Sequence, residues 1–73
     1  MRLTNNQLQF ILNSDVEELV AMLSEDNDMP IAEAFSVVYN SKTYEKLVDT
    51  KTGLYLQSPE YQYEYLKEEI GKH

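Results

Sequence analysis

The 73-residue chain has no cysteine and no tryptophan, two glycines, two prolines and a single histidine. Each shortage removes a class of chemistry. Without cysteine, neither a disulfide framework nor a thiolate zinc site can supplement the core. With only Gly53 and Gly71, there is no glycine-rich loop to cradle a phosphate. The sole imidazole belongs to His73, the last residue, and a chain end is a poor platform for a catalytic base. No apolar run approaches the ~20 residues needed to span a bilayer. Met1 to Gln7 lacks the apolar stretch of a secretory leader, so the expected compartment is the cytoplasm and no membrane partner is expected.

Basic residues are also scarce. Six stand against 13 acidic ones, for a formal net charge of -7. The imbalance is uneven: residues 1–36 hold Arg2 against seven acids, and the rest holds five lysines against six acids. All six tyrosines (Tyr39, Tyr44, Tyr55, Tyr61, Tyr63 and Tyr65) fall in the second half. An acidic front therefore precedes a nearly neutral, tyrosine-rich back. The acidity repels phosphate backbones and argues against an autonomous nucleic-acid binder. Hydrophobic residues at 42% and charged residues at 26% are near globular averages, so a folded domain is expected despite the charge. A chain this short makes a single domain with a thin core.

Helical periodicity organises the chain. Thr4 with Gln7 forms a capping-box pattern, and Leu8, Ile11, Leu12, Val16, Leu19, Val20 and Leu23 then recur three and four apart. This predicts a first helix over about residues 5–25. Asp15 falls inside its apolar stripe. Either the helix is continuous and Asp15 meets a tyrosine hydroxyl or Lys46, or Ser14 and Glu17 make a second capping box and break it. The unchanged apolar phase on both sides favours continuity. Pro30 opens a second helix over about 30–40, with Ile31, Ala34, Phe35 and Val38 as its buried face. Asn40-Ser41 reads as a stop and a fresh cap before a short third helix at about 42–48. Asp49 to Gly53 is a turn, and Leu54 to Gln57 alternates briefly as an extended segment would. Ser58-Pro59-Glu60 starts a last helix over about 59–70, with Tyr63, Leu66 and Ile70 facing inward. The expected fold is all-α: a small single domain of three to four helices.

The run Phe35 to Leu47, which includes Tyr39-Asn40-Ser41-Lys42-Thr43-Tyr44, together with Thr52-Gly53-Leu54-Tyr55 and Ser58-Pro59-Glu60-Tyr61, resembles a family of small bacterial proteins of unknown function. The resemblance covers roughly residues 30–69; the first helix shares only the hydrophobic pattern. It implies a compact helical domain and carries no catalytic assignment.

Three groups of residues could carry function. The acids Glu25, Asp26 and Asp28 suggest a cation site, but a calcium loop opening at Asp26 would need a ligand at Pro30, a glycine at Ile31 and a glutamate at Val37. They read as a solvated helix end, and no metal or cofactor is expected. Tyr61 and Tyr65, four apart on the last helix, share a face, and with Tyr55 they offer the apolar area and polar tips enriched at binding hot spots. Asp15, Glu17 and Glu18 mark the acidic first helix. The leading expectation is a non-enzymatic module that binds a protein partner through the tyrosine-bearing helix or the acidic face, with homodimerisation as one form. The alternatives are an acidic decoy occupying a basic nucleic-acid site and, less favoured, a helix-turn-helix regulator using helices two and three.

Overall fold

The computed structural model describes residues 3–71, so Arg2 and His73 lie outside the described residues. Four α-helices follow in order: α1 (Asn5–Asn27), α2 (Ile31–Tyr39), α3 (Lys42–Val48) and α4 (Pro59–Gly71). Two 3₁₀ turns, Thr50–Thr52 and Leu54–Leu56, link α3 to α4. No strand occurs among the described residues. The all-α expectation is met.

α1 starts where the capping box puts it. The Thr4 hydroxyl accepts from the Gln7 amide at 3.1 Å, and the Gln7 side-chain carbonyl accepts from the Thr4 amide at 2.9 Å. The helix is continuous through Ser14 and Asp15. At 1.5 Å per residue it spans about 34 Å, which sets the long axis of a body measuring 38 × 21 × 19 Å. It also runs two residues past the expected end, because Asn27 reaches back to the Leu23 carbonyl (3.1 Å) and the Ser24 hydroxyl donates to the Met29 carbonyl (2.6 Å). Asp28 then breaks it in a left-handed conformation, φ 49.

α2 folds back on α1 and is joined to α3 by one residue with two tasks. The Ser41 hydroxyl donates to the Val38 carbonyl at 2.6 Å, closing α2, and accepts from the Tyr44 amide at 3.0 Å, opening α3. The buried line of α2 is Ala34 and Val38, with Phe35 half-buried. Ile31, expected in that line, is 56% exposed. It sits in the first turn of α2 at the turn end of the hairpin, where the helix has only begun to lie against α1.

Leu54 to Gln57 is not extended. Leu54–Leu56 winds as a 3₁₀ turn, with Leu56 bonded to the Gly53 carbonyl and Gln57 to the Leu54 carbonyl. A strand there would need a partner edge, and a local i to i+3 bond satisfies the backbone without one. Gly53 supplies the positive φ of 70 that separates the two turns.

Leu12, Val16, Leu19, Val20 and Leu23 of α1, Ala34 and Val38 of α2, Leu47 of α3, Leu54, and Tyr63 and Leu66 of α4 form one core. Domains hold roughly 0.05–0.15 kcal/mol of stability per residue, and truncating a fully buried leucine removes about 2–5 kcal/mol. Leu19, Leu47 and Leu66 therefore each carry a large share of the whole.

The left-handed Asp28 combines backbone strain with a negative charge at the negative end of the α1 dipole. Asp28→Gly should raise stability by about 0.5–1 kcal/mol, read as a higher urea midpoint at neutral pH. Asp28→Ala, which removes the charge but keeps the β-carbon, should fall short of that gain.

Candidate protein-contact face

The tyrosine pair on α4 is built by its helical spacing. Tyr61 and Tyr65 lie one turn apart, their rings 5.5 Å between centroids and tilted 58°. Both stay open to solvent, at 48% and 39% exposure, because the adjacent positions Gln62, Tyr63 and Leu66 take the buried side of the helix. Their exposure follows from the phase of α4. What lies beside them does not follow from it.

α3 brings Lys46 across, with its ammonium 5.3 Å from the centroid of the Tyr65 ring, a cation–π distance. The end of α3 is held by Thr52, whose hydroxyl donates to the Lys46 carbonyl at 2.6 Å and accepts from the Leu54 amide at 3.2 Å. Lys46, Thr52, Leu54, Gln57, Tyr61 and Tyr65 together line a groove of ≈ 280 Å³. Small-molecule sites usually enclose about 300–1,000 Å³. A groove just under that range has room for one or two side chains. The Tyr61 phenol is held above the ordinary tyrosine range by the neighbouring Tyr65 hydroxyl.

One contact sets the spacing between the two sides of the groove. Glu69, one turn beyond Tyr65, lays its carboxylate on the start of α3: Oε2 accepts from the Lys42 amide (2.7 Å), and Oε1 accepts from the Thr43 amide (2.9 Å) and the Thr43 hydroxyl (2.8 Å). This is a helix cap supplied from another helix, with a full negative charge at the positive end of the α3 dipole. Burial works against the charge, but the bonds from Lys42 and Thr43 outweigh it and hold the Glu69 carboxyl below its ordinary range. At the other end of α4, the Tyr63 hydroxyl donates to Asp26 Oδ2 at 2.8 Å. Burial, together with that carboxylate, pushes the Tyr63 phenol up to about 12. Asp26 is thus a structural acceptor near the end of α1. Among the described residues no group of three or more acidic or histidine side chains is placed to hold a metal ion.

The residues marked out by the sequence separate into four places. Tyr61 and Tyr65 are brought together. Tyr55 is half-buried against the core and does not line their groove; its neighbours Leu54 and Gln57 do. Glu17 and Glu18 are exposed on α1, Glu17 in a shallow hollow with Phe10 and Asn13. Asp15 is turned inward, 9% exposed, and meets Gln62 instead of a tyrosine hydroxyl or Lys46, because Gln62 is the polar residue of α4 that faces the core. Gln62 and Glu69 went unmarked. Glutamine in a polar helix gives no sign of burial, and an anion at the start of α3 is foreseeable from the dipole rule only once the fold names its donor. A second aromatic group joins α2 to α3: Phe35 and Tyr39 stack at 5.4 Å, and Tyr39 meets Tyr44 edge-on at 4.9 Å.

Comparison of the chain with family models, with curated proteins and with solved structures finds no match in any of the three.

Glu69→Ala should cost about 1–2 kcal/mol, the range for a charge-assisted cap that is partly open to solvent. Because the folded Glu69 carboxyl is depressed, its contribution is present above the ordinary glutamate range and is lost as pH falls through the folded value. The urea midpoints of wild type and Glu69→Gln should therefore differ at pH 7 and converge under acidic conditions.

Proposed function

We propose that this protein is a non-enzymatic interaction module whose partner-contacting surface is the groove between Lys46 and the Tyr61–Tyr65 pair. The observation that carries this reading is the pairing of exposure with rigidity. Two tyrosines remain open to solvent on a helix fixed at both ends, by Tyr63 to α1 and by Glu69 to α3. Side chains already ordered before binding lose little entropy on contact. A tyrosine ring offers a large apolar face, and its hydroxyl can bond a partner's backbone. The motif resemblance of residues 30–69 to small bacterial proteins fits a compact helical module and adds no activity.

The acidic-decoy reading keeps one supporting feature, the exposed Glu17 and Glu18 on α1, neither of which lines the groove. Against a helix-turn-helix regulator stands the Glu69 carboxylate. It covers the amides at the start of α3, where a recognition helix would approach the DNA backbone.

The test is affinity capture from the native cell with partner identification, followed by mapping of the bound partner on the ¹⁵N amide spectrum of this chain. Tyr61→Ala and Tyr65→Ala should each abolish or weaken capture at least tenfold and leave the fold intact. Capture of the same partner undiminished by both substitutions would remove the groove from consideration. Salt separates the two readings. Contact through the tyrosines should persist from 50 to 500 mM salt, whereas a partner held by Glu17 and Glu18 should be lost over that range.

A further inference from the structure

Phe10 is 64% exposed. Two positions from Leu12 is about 200° around an α-helix, so Phe10 stands on the side of α1 away from the core that Leu12, Val16 and Leu19 enter. Its neighbours one turn away, Asn6, Gln7, Asn13 and Ser14, are all neutral and polar. The whole stretch from Leu3 to Ser14 carries no charge, and all 13 acids of the chain come after it. An outer helix face is ordinarily where charges collect, as they do further along α1 at the exposed Glu17 and Glu18. Here it holds an open ring, with Leu3 and Ile11 half-buried beside it, in an uncharged surround.

The relief of this face fits a copy of itself. Phe10 is a ridge between two hollows. One, of ≈ 450 Å³, is lined by Leu3, Asn6, Gln7, Phe10 and Ile11. The other, of ≈ 440 Å³, is lined by Asn6, Gln9, Phe10, Asn13, Ser14 and Glu17. A knob with an apolar hollow beside it on one patch is what an isologous contact needs, because each copy supplies both halves. The rim is self-complementary too: a carboxamide both donates and accepts, so Asn6 and Gln7 can bond the same residues of a second chain. Charge then selects the occupant. Two copies of a chain of net charge -7 repel each other, and on this face they meet without setting acid against acid. A basic partner gains nothing from an uncharged patch and is drawn to the acids beyond it, while an anionic membrane is repelled by the whole body.

We propose that a second copy of this chain docks on this face, α1 antiparallel to α1, with each Phe10 entering the apolar hollow of the other. The direction follows from Glu17, the charged residue that lines the second hollow. With each Phe10 beside the other copy's Gln7, antiparallel helices hold the two Glu17 about 25 Å apart at 1.5 Å per residue. That is well beyond the ~8 Å screening length of physiological salt. Parallel helices would set the two carboxylates side by side. The contact is small, so the dimer is weak and concentration-dependent. None of the residues lining the tyrosine groove belongs to α1, and the dimer stands whatever that groove binds.

Sedimentation equilibrium of the full chain tests this. Wild type should self-associate with a dissociation constant in the range of about 10 μM to 1 mM. Association should be tighter at 500 than at 50 mM salt, because screening removes the repulsion between copies. Phe10→Ala should weaken it at least tenfold and leave the urea midpoint unchanged, since the ring lies outside the core. In a mixture of ¹³C-labelled and unlabelled chains, the Phe10 ring protons should show intermolecular contacts to Gln7 and Ile11. A chain that stays monomeric at about 1 mM overturns the proposal. So does self-association that Phe10→Ala leaves intact or that added salt weakens, and so does a monomer that uses Phe10 to bind neutral lipid vesicles instead.

Discussion

The seating of α4 is the constraint on which the rest of the structure depends. A 73-residue chain with no cross-link has one thin core, and α1 and α2 alone close only part of it. α4 completes it with Leu66 and Tyr63 and fixes its position with polar contacts toward each of its ends. Gln62 bonds the Leu54–Gln57 turn, Tyr63 bonds Asp26 near the end of α1, and Glu69 bonds the start of α3. Apolar burial does not discriminate among sliding positions of a short helix. Hydrogen bonds of defined length do. Displacing α4 by one turn would break all of these contacts and leave Gln62 unpaired in the core.

The same contacts divide the molecule into a buried polar side and an open aromatic side. With 62, 63, 66 and 69 engaged inward or along the α3 edge, positions 61 and 65 must face out. The tyrosine pair is exposed as a by-product of how α4 is held. Lys46 reaches the Tyr65 ring because Glu69 and Thr52 fix the two ends of α3. The groove is rigid for the reason the fold is stable.

The acidic excess acquires a similar explanation. Most of it lies on α1 and the turn that follows, and its individual members have different fates. Asp26 receives the Tyr63 hydroxyl, Asp28 breaks the helix, Glu17 and Glu18 face solvent, and Asp15 is enclosed. Charge counted along the sequence treated these residues as one face. In the fold they serve as an acceptor, a terminator, a solvated surface and a buried acid.

Most of the helices were legible in the sequence, because capping and periodicity are local. Thr4 with Gln7, Ser41, and Ser58 with Pro59 mark starts that need no knowledge of the rest of the chain, and the α1 stripe showed that the helix passes through Asp15. Leu54 to Gln57 misled for the same reason. Alternation over four residues is too short to separate a strand from a 3₁₀ turn closed by its own i to i+3 bonds. Tertiary structure alone decided which polar side chains are buried, since Gln62 and Glu69 look no different in sequence from their exposed neighbours on α4. It also decided that the partner of Asp15 is an amide, and that Lys46 and Tyr65 share one groove. Those outcomes depend on how helices distant in sequence meet, and the energy that sets them belongs to the packed core and not to any single segment.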